Sequence, residues 1–474
     1  MNLNETPAAA LDPNKHQAWY RGLTSYHWFV LVVCWLAWMF DTFDQQLFVL
    51  CRKTAVSNLL QSVTAGMSAK VAGDTVTSYS GFITMIMMFG WATGGIIFGI
   101  LGDKWGRAKT MILAIMFYSI FTGLSSFSVT WIDFTVYRFL TGLGVGGTFG
   151  AAVSFVAEVL PNRSRPFALG ALQALAAVGN MTAAALSMAI KPAVQVEFLG
   201  GVQGWRVLFM VGIIPAILAL LVMRRIKEPE SWVQAKKAQA KGTGKAGQKM
   251  GSMRELFGDP RWRKNVIIGI IIGLAGIIGL WGIGFWQPEL VSEVVKSGTP
   301  EQNANQGYYS GLSMFLFNGA AAIGTYLFAA LMARVGRRAS FAGIFVLAIV
   351  AVFVVFGFMS RPDQIWWMAP LLGLGTLTIF GGFSIYFPEL FPTRLRATGV
   401  GFCYNTARYL AAFGPLTLGT LSVWYGGKNM TLLSSMGGVD SGFRYAAMTV
   451  AVVFAVGLVA VIFAPETKDK PLPE

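Results

Sequence analysis

The chain has 474 residues, of which 55% are apolar and only 12% are charged. Soluble domains carry about 25% charged residues, so this composition excludes an ordinary soluble protein and indicates one that lies mostly within a lipid bilayer. The net charge of +15 is compatible with nucleic-acid binding, but most Lys and Arg residues fall on one predicted side of the membrane. This bias follows the positive-inside rule and predicts that both termini are cytoplasmic.

Hydropathy predicts an all-α membrane protein. A membrane-spanning helix needs roughly 20 apolar residues, and the pattern leaves no soluble domain of useful size. The twelve predicted spans are residues 28–50, 79–101, 110–128, 131–157, 167–189, 205–223, 266–286, 311–332, 340–358, 366–387, 398–420 and 445–463.

The first predicted span contains M-F-D-T-F-D-Q-Q, which places Asp41 and Asp44 inside an apolar run. Their spacing of three residues puts both carboxylates on one helix face. A charge near the bilayer centre costs about 2.5–3.5 kcal/mol even on the insertion scale, so such residues usually line a pathway or a proton relay. The alternative is that both are solvated anchors in the outer headgroup region. A polar external loop, residues 51–78, is expected to follow.

The second span ends in a tight turn with the sequence G-I-L-G-D-K-W-G-R-A-K. Gly99 and Gly106 permit close helix approach and a sharp reversal. Asp103 is placed to meet a helix N-terminus or a basic partner, and Arg107 to meet a carboxylate. The turn resembles, at every position, the signature loop G-x-x-x-D-R/K-x-G-R-x-R/K of the major facilitator superfamily. This resemblance covers the whole chain and implies twelve helices in two six-helix halves.

An internal repeat supports two halves independently of the family. A-R-V-G-R-R at residues 333–338 repeats D-K-W-G-R-A at residues 103–108, and E-L-F-P-T-R-L-R at residues 389–396 repeats E-V-L-P-N-R-S-R at residues 158–165. The two offsets, 230 and 231, are almost equal, and duplicated units are common in transporters. Ala333 stands where the first copy has Asp103, which predicts a weaker gate there. The predicted cytoplasmic gate comprises Gly99, Asp103, Gly106, Arg107, Glu158, Arg163, Arg337, Glu389 and Arg394.

The predicted domain organisation follows from the repeat. It consists of a cytoplasmic N-terminal tail (1–26), a six-helix bundle (27–225), a cytoplasmic linker (226–264), a second six-helix bundle (265–464) and a cytoplasmic C-terminal tail (465–474). The linker is rich in Lys and Gly, and its residues 230–241 predict an amphipathic helix on the membrane surface. The motifs E-P-E-S-W, from Glu228, and P-E-T-K, from Pro465, resemble the ends of the two halves in the sugar-porter and organic-acid branches of the superfamily.

Arg138 lies roughly 10 Å below the outer end of the fourth span, and Asp44 lies roughly 9 Å below the outer end of the first. An Arg and an Asp at one depth can neutralise each other, which makes both tolerable in the membrane. In proton-coupled sugar porters and aromatic-acid symporters, the resemblance implies that such a pair couples transport to protons. Asp41, Asp44 and Arg138 are therefore the proton-coupling candidates. Asp41 and Asp44 resemble the D-G-x-D motif of the aromatic-acid symporters, with Thr42 in place of Gly. The alternative is a pair that only fixes the two helices together.

Arg408 lies roughly 16 Å into the eleventh span, near the midplane where transporters bind substrate. The last three predicted spans contain no acid at its depth. An anionic substrate is the expected partner, because a guanidinium binds a carboxylate through two hydrogen bonds. Pairing with Asp41 and a packing role in its helix are the alternatives. The other candidate substrate-binding residues are Tyr404, Asn405, Gln173, Asn180, Trp281, Gln287 and Asn318.

The segment P-E-L-F-P-T-R-L-R-A-T-G followed by Y-N-x-x-R resembles the aromatic-acid, sialate and monocarboxylate proton symporters. The sequence therefore predicts a secondary active transporter that moves a small organic anion with a proton by alternating access. A proton-coupled sugar symporter and a non-transporting membrane sensor are the alternatives. The sequence shows no nucleotide loop, metal cluster or nucleophile with a base, so we expect no enzymatic activity, no cofactor and no metal. The expected partners are the substrate, a proton and the bilayer, without nucleic acid, for a monomer in a bacterial inner membrane.

Overall fold

The computed structural model describes residues 18–190, 192, 195–196, 200–223, 225–241, 249–296, 299–301, 306–428 and 430–473. The predicted organisation lies outside the described residues at 1–17 of the N-terminal tail, at 242–248 of the linker, at Glu474, and at the short gaps between these ranges in the two predicted bundles.

The first half of the chain is helical apart from one short hairpin. Its helices are α1 (Ser25–Leu59), α2 (Gln61–Thr64), α3 (Ala69–Trp105), α4 (Arg107–Ser125), α5 (Trp131–Val159), α6 (Arg165–Ile190), α7 (Gly204–Val211) and α8 (Ile214–Met223). The hairpin pairs β1 (Gln195–Val196) with β2 (Val202–Gln203) in antiparallel register. The linker contains α9 (Glu230–Ala240) and α10 (Met253–Gly258).

The second half repeats this pattern. Its helices are α11 (Pro260–Gly282), α12 (Gln287–Lys296), α13 (Gln306–Val335), α14 (Arg337–Phe358), α15 (Ile365–Thr376), α16 (Ile379–Glu389), α17 (Arg396–Ala411), α18 (Gly414–Gly426), α19 (Leu432–Ser435), α20 (Gly442–Val450) and α21 (Val452–Phe463). Single 3-10 turns occur at Gly284–Trp286, Pro362–Gln364 and Thr393–Leu395.

Within the described ranges, ten helical stretches have the length and apolar composition to cross a membrane. The other two predicted spans, 205–223 and 398–420, are each interrupted by two residues and form the pairs α7–α8 and α17–α18. Pro215 and Pro415 lie just past these breaks. A proline lacks the N–H that would continue the helical hydrogen bonds, so the interruptions have a local cause.

The predicted external loop at 51–78 is wrong. α1 continues to Leu59, and α3 begins at Ala69 with Ser68 as its N-cap. The polar residues of this segment form helical extensions because helix formation does not require apolar side chains once a helix leaves the apolar layer.

Glycines allow the helices of the first half to pack closely. Gly142 and Gly146 of α5 lie against the backbone carbonyl groups of Met87 and Trp91 in α3, and a side chain on either glycine would collide with them. Small residues are enriched at helix contacts in membranes for this reason. The run T-G-L-G-V-G-G in α5 is therefore explained by packing.

The two halves meet along two equivalent helix pairs. α3 packs against α17, and α6 packs against α13. Gly99 lies next to Ala397 in the first interface, and Gly170 lies next to Ala329 in the second. The equivalence follows the sequence repeat and leaves a space between the halves.

Candidate functional site

The two ends of the bundle differ. The end that carries the turns at Gly106 and Gly336 is called the gate end below. The opposite end, which carries the connection between α4 and α5, is called the loop end. A cavity of about 130 Å³ lies between the halves.

The cavity wall combines aromatic and amide side chains from both halves. Six of the eight predicted substrate-binding residues line it, namely Gln173, Asn180, Trp281, Asn318, Tyr404 and Arg408. The lining residues that were not predicted from the sequence include Trp38, Gln45, Trp91, Phe317 and Phe380. Aromatic surface with a few convergent polar groups is typical of small-molecule sites.

Arg408 is held rigidly in the cavity wall. Its Nη1 donates to the Tyr404 carbonyl oxygen at 2.8 Å and to Asn405 Oδ1 at 2.9 Å. Its guanidinium carbon lies 4.0 Å from the Trp91 ring centroid and 4.3 Å from that of Tyr404. Nε has no hydrogen-bond partner among the described protein groups. The guanidinium therefore keeps donor capacity for a ligand.

Two predicted substrate-binding residues do not line the cavity. Asn405 is buried behind Arg408, where it also donates to the Gly401 carbonyl oxygen at 2.9 Å, so it orients the arginine. Gln287 is buried and donates to the Ser313 carbonyl oxygen at 3.5 Å. Gln287 thus links α12 to α13. Neither side chain contacts the cavity in this conformation, because sequence spacing does not give the direction of a side chain, and direct substrate contact by both residues stays a prediction.

Asp41 lies between Arg408 and Asp44. It is fully buried, and its Oδ2 accepts a hydrogen bond from Gln45 Nε2 at 2.9 Å. Arg408 and Asp44 are its electrostatic neighbours. Asp41 forms no direct ion pair with Arg408 or with any other described residue, and its Oδ1 has no hydrogen-bond partner.

Asp44 and Arg138 are electrostatic neighbours, but the expected direct ion pair is not formed. Arg138 instead donates to Ser125 Oγ, from Nε at 3.1 Å and from Nη2 at 2.6 Å. The guanidinium also faces aromatic rings of α1, α5 and α7, at 4.8–5.7 Å from the centroids of Phe48, Phe134 and Phe209. Depth along a helix was predicted, but the hydroxyl and the rings determine where the guanidinium points.

Four buried charged side chains therefore form a series from the cavity into the first half, in the order Arg408, Asp41, Asp44 and Arg138. With every group ionised, the series has no net charge. Below, these four residues are called the charge series. Each arginine attracts the aspartate next to it and the two aspartates repel each other, so a change of charge at one position alters the balance at the others.

The first turn of the gate end is centred on Arg107. This side chain forms ion pairs of 2.9 Å with Asp103 and of 2.9 Å with Glu158. Asp103 crosses to the second half, where it accepts hydrogen bonds from the N–H groups of Ala397 at 3.1 Å and Thr398 at 2.9 Å, and from the Thr398 hydroxyl at 2.5 Å. It thereby caps the N-terminus of α17, which has no internal partner for these N–H groups.

Glu158 also joins the halves, since it accepts from Arg396 Nη1 at 2.7 Å. The sequence prediction chose Arg394 for the gate, but Arg394 pairs with Glu255 of the linker at 2.8 Å. Arg163, also predicted, is half-buried and has no ion pair with a described residue. In the second copy of this motif, the arginine that contacts the other half is therefore the second of the two, Arg396.

The second turn repeats the first within its own half. Arg337 pairs with Glu389 at 2.7 Å, and Glu389 also accepts from the Thr467 hydroxyl at 2.6 Å. Gly106 and Gly336 adopt φ values of +123° and +111°, which L side chains rarely adopt. Each glycine therefore permits the sharp reversal before a helix.

A distant glutamate caps the helix after each turn. Glu228 accepts from the N–H groups of Ala108 and Lys109, both at 3.1 Å. Glu466 accepts from those of Arg337 at 3.0 Å and Arg338 at 3.1 Å. Both glutamates lie in motifs noted in the sequence, although these caps were not predicted.

The linker helix α9 packs on the gate end through Trp232. This side chain is buried, and its Nε1 donates to the Asp103 carbonyl oxygen at 2.7 Å. The predicted location on the membrane surface is therefore wrong for its apolar face, because that face has a protein partner. In the part of the chain that the structure describes, no cluster of three or more His, Cys, Asp or Glu side chains could hold a metal ion.

Two equivalent helical halves around a central cavity, joined at one end by an ion pair and by hydrogen bonds, are the architecture of a membrane transporter. Residues 36–415 match the model of the Major Facilitator Superfamily. The chain belongs to this family of secondary transporters, whose members are not enzymes, and the prediction of its fold is confirmed.

Individual proteins support this assignment. The cis,cis-muconate transport protein of Acinetobacter baylyi is 29% identical over 406 residues, which cover 85% of this chain and 89% of that protein. The benzoate transport protein of the same organism is 24% identical, with 84% of each chain covered. The proton:xylose symporter XylE bound to 6-bromo-6-deoxy-D-glucose has a TM-score of 0.72 at 19% identity, with 94% of this chain and 98% of that chain covered. The last similarity shows the fold alone.

Proposed function

We propose that this transporter carries a small organic anion, with a carboxylate bound by Arg408, together with a proton. The observation that carries the proposal is the position of Arg408. Its guanidinium lines the cavity, where Asn405 and the Tyr404 carbonyl group hold it, and its Nε is buried without a hydrogen-bond partner among the described groups. A buried guanidinium with free donor capacity suits a carboxylate.

The rest of the cavity suits a small acid with an apolar body. Trp38, Trp91 and Phe380 supply aromatic surface, and Gln173 and Asn180 supply amide groups. The relatives named for muconate and benzoate act on carboxylates, which supports this substrate class. Their identities of 24–29% do not extend to a particular acid.

Proton coupling is proposed for Asp44, with Asp41 and Arg138. Protonation of Asp44 removes the negative charge that faces Arg138, and so it changes the electrostatic balance of the charge series. In the proposed cycle, the two bundles, residues 27–225 and 265–464, rock about the cavity. The gate end and both termini are placed in the cytoplasm of a bacterial cell, as the distribution of Lys and Arg favours. The Glu158–Arg396 ion pair and the Asp103 hydrogen bonds across the gate end then describe a state closed to the cytoplasm.

Substitution of Arg408 tests the substrate site. For Arg408→Ala we expect the apparent substrate constant to rise by one to two orders of magnitude, because a charge-assisted hydrogen bond contributes about 1.5–3 kcal/mol. The measurement is concentration-dependent uptake of aromatic and aliphatic carboxylates by proteoliposomes. Arg361→Ala is the matched control, since Arg361 is exposed beside Asp363. An unchanged constant in Arg408→Ala would remove this residue from the site.

A second arm of the same experiment tests coupling. Asp44→Asn should abolish uptake driven by a pH gradient while counterflow exchange continues, because exchange needs no net proton movement. Asp363→Asn, an exposed loop variant, is the control. Normal accumulation by Asp44→Asn would refute the coupling role. Binding without any accumulation by the wild-type protein would instead support the membrane sensor.

A proton-coupled sugar symporter is the second candidate, favoured by the amide groups of Gln45, Gln173, Asn180 and Asn318 in the cavity wall. The two functions differ in charge movement. One proton with a monoanion carries no net charge, whereas one proton with a sugar gains about 2.3 kcal/mol per 100 mV. Strong stimulation of uptake by an imposed potential, at zero pH gradient, would favour the sugar.

A further inference from the structure

Helix α4 presents a row of hydroxyl groups to the charge series. Tyr118, Thr122 and Ser125 are spaced by four and three residues and so share one helix face. All three side chains are buried. Ser125 accepts both hydrogen bonds from Arg138 described above. This face of α4 is therefore directed at the charge series.

Unpartnered donors and acceptors lie together at this face. The Tyr118 and Thr122 hydroxyls, both oxygens of Asp44 and Oδ1 of Asp41 are buried and form no aligned hydrogen bond with a described protein group. Tyr118 is an electrostatic neighbour of both aspartates, and Thr122 lies beside Asp44. Unpaired buried polar groups are costly, so their concentration at one place needs an explanation.

The donor and acceptor types are complementary. A phenol hydroxyl donates one hydrogen bond and accepts others, whereas an ionised carboxylate only accepts. Tyr118 can thus accept from one aspartate in its protonated form while it donates to the other in its ionised form.

We propose that Tyr118 relays a proton between Asp44 and Asp41. This inference rests on the proposed proton coupling. The O–H of protonated Asp44 donates to the Tyr118 oxygen, and the Tyr118 O–H donates to the Asp41 carboxylate. The Asp44 O–H bond breaks as a new bond forms to the Tyr118 oxygen, and the original Tyr118 O–H bond breaks as one forms to Asp41. Tyrosine is regenerated, and one proton has moved from Asp44 to Asp41.

The transfer links the proton to the substrate site. Before it, the Asp41 carboxylate is the anion that faces Arg408. After it, Asp41 is neutral, so Arg408 lacks that neighbour and can bind a substrate carboxylate. Asp44 is then ionised and faces Arg138. Relay through Tyr118 thus makes charge determine the order of events. The proton first arrives at Asp41, and the anion then binds at Arg408.

Tyr118→Phe tests the relay because it removes the hydroxyl and keeps the ring. We expect the initial rate of uptake driven by a pH gradient to fall about tenfold or more, in the range usual for lost proton transfer, with counterflow exchange retained. The thermal midpoint should not fall, since the lost hydroxyl has no aligned partner. Tyr137→Phe, a half-buried tyrosine of α5, is the matched control and should transport like the wild type.

The outcomes separate the relay from the proposed function. If Asp44→Asn loses accumulation and Tyr118→Phe keeps the wild-type rate, the relay is wrong and proton coupling stands. If gradient-driven uptake and counterflow fall in equal proportion in Tyr118→Phe, its role is structural and the relay is wrong. If Tyr118→Phe does not fold, uptake by the wild-type protein in D₂O decides. Gradient-driven uptake that slows more than counterflow supports the relay, and an equal slowing overturns it.

Discussion

The turns at Gly106 and Gly336 share the same local contacts but differ in their contacts between the two halves. In each, a positive-φ glycine precedes an arginine that pairs with a glutamate 51 or 52 residues later. In each, a distant glutamate caps the next helix with two hydrogen bonds of 3.0–3.1 Å. The repeated unit therefore contains the turn, the ion pair and the cap.

The contact between the halves is not repeated. Asp103 caps α17 through the N–H groups of Ala397 and Thr398 and the Thr398 hydroxyl. Its counterpart in the second turn is Ala333, and the counterparts of Ala397 and Thr398 are Pro166 and Phe167. Proline has no N–H and phenylalanine no hydroxyl, so the acceptor and two of its three donors are missing together.

These paired sequence differences show which interface between the halves has buried polar contacts at the gate end. The interface between α3 and α17 is closed by a buried carboxylate, whereas the interface between α6 and α13 has the close approach of Gly170 and Ala329. Buried polar links have strict geometry and therefore favour one arrangement. Small apolar surfaces can slide. One interface is thus held by buried polar contacts, and the other by the close packing of small residues.

Removal of the Asp103 carboxylate should have the largest effect. Asp103→Ala makes the first turn resemble the second, and we expect it to destabilise the closed gate by about 3 kcal/mol, because it removes one partner of a buried ion pair and uncaps α17. Hydrogen–deuterium exchange at the amides of Ala397 and Thr398 should accelerate, and the thermal midpoint should fall. Peptides covering residues 396–402 report the exchange.

Asp103→Asn is the matched variant, because it retains one acceptor oxygen and loses the charge. Its exchange rates should lie between those of the wild type and Asp103→Ala. Unchanged exchange at Ala397 and Thr398 in both variants would show that Asp103 does not hold the interface closed.

The comparison also shows what a sequence can predict. The pairs Arg107–Glu158 and Arg337–Glu389 could be predicted from the sequence, because the motif residues recur at nearly one offset and the family pattern includes them. The choice between Arg394 and Arg396 could not be predicted. Arg394 lies in a 3-10 turn, and Arg396 follows directly after that turn. Arg394 therefore faces the linker and Arg396 faces Glu158, and only the local backbone determines these directions.

The charge series shows the same limit. Helical rise placed Asp44 and Arg138 at one depth, and the structure makes them neighbours. Rise does not give the rotation of a side chain about its helix, and Ser125 with three phenylalanine rings holds Arg138 away from a direct pair. Tyr118 was not predicted because a single tyrosine in an apolar span has no distinguishing sequence signal.

Removal of each helix cap should have a smaller, equal effect in the two halves. For Glu228→Gln and Glu466→Gln we expect losses of about 1 kcal/mol each, the usual contribution of an anion at a helix N-terminus. Thermal unfolding of the purified variants measures both. A loss confined to one variant would show that the two turns are not energetically equivalent.

Acid should weaken the Glu466 cap. Burial opposes ionisation of this carboxyl group, but the N–H groups of Arg337, Lys468, Arg338 and Thr467 hold its pKa below the ordinary value of 4.5. A lowered pKa means that the stabilisation is present above pH 4.5 and is lost as the pH falls through the lower folded value. The difference in thermal midpoint between wild type and Glu466→Gln should therefore shrink only below pH 4.5.

The smallest effect is expected when the missing acid is restored to the second turn. Ala333→Asp supplies the carboxylate, but Pro166 has no N–H and Phe167 no hydroxyl to meet it. Of the three donors in the first cap, only the Phe167 N–H is left to meet the new side chain, and its interaction with Arg337, four residues later, contributes about 0.5 kcal/mol or less on a helix surface. The thermal midpoint and the exchange of the α6 amides should stay near wild type. In the triple variant that adds Pro166→Ala and Phe167→Thr, exchange at residues 166 and 167 should be slower than in the double variant Pro166→Ala/Phe167→Thr, because all three parts of the first cap are present. If Ala333→Asp alone slows exchange at Phe167, the acid and not the helix start is the part that the second interface lacks.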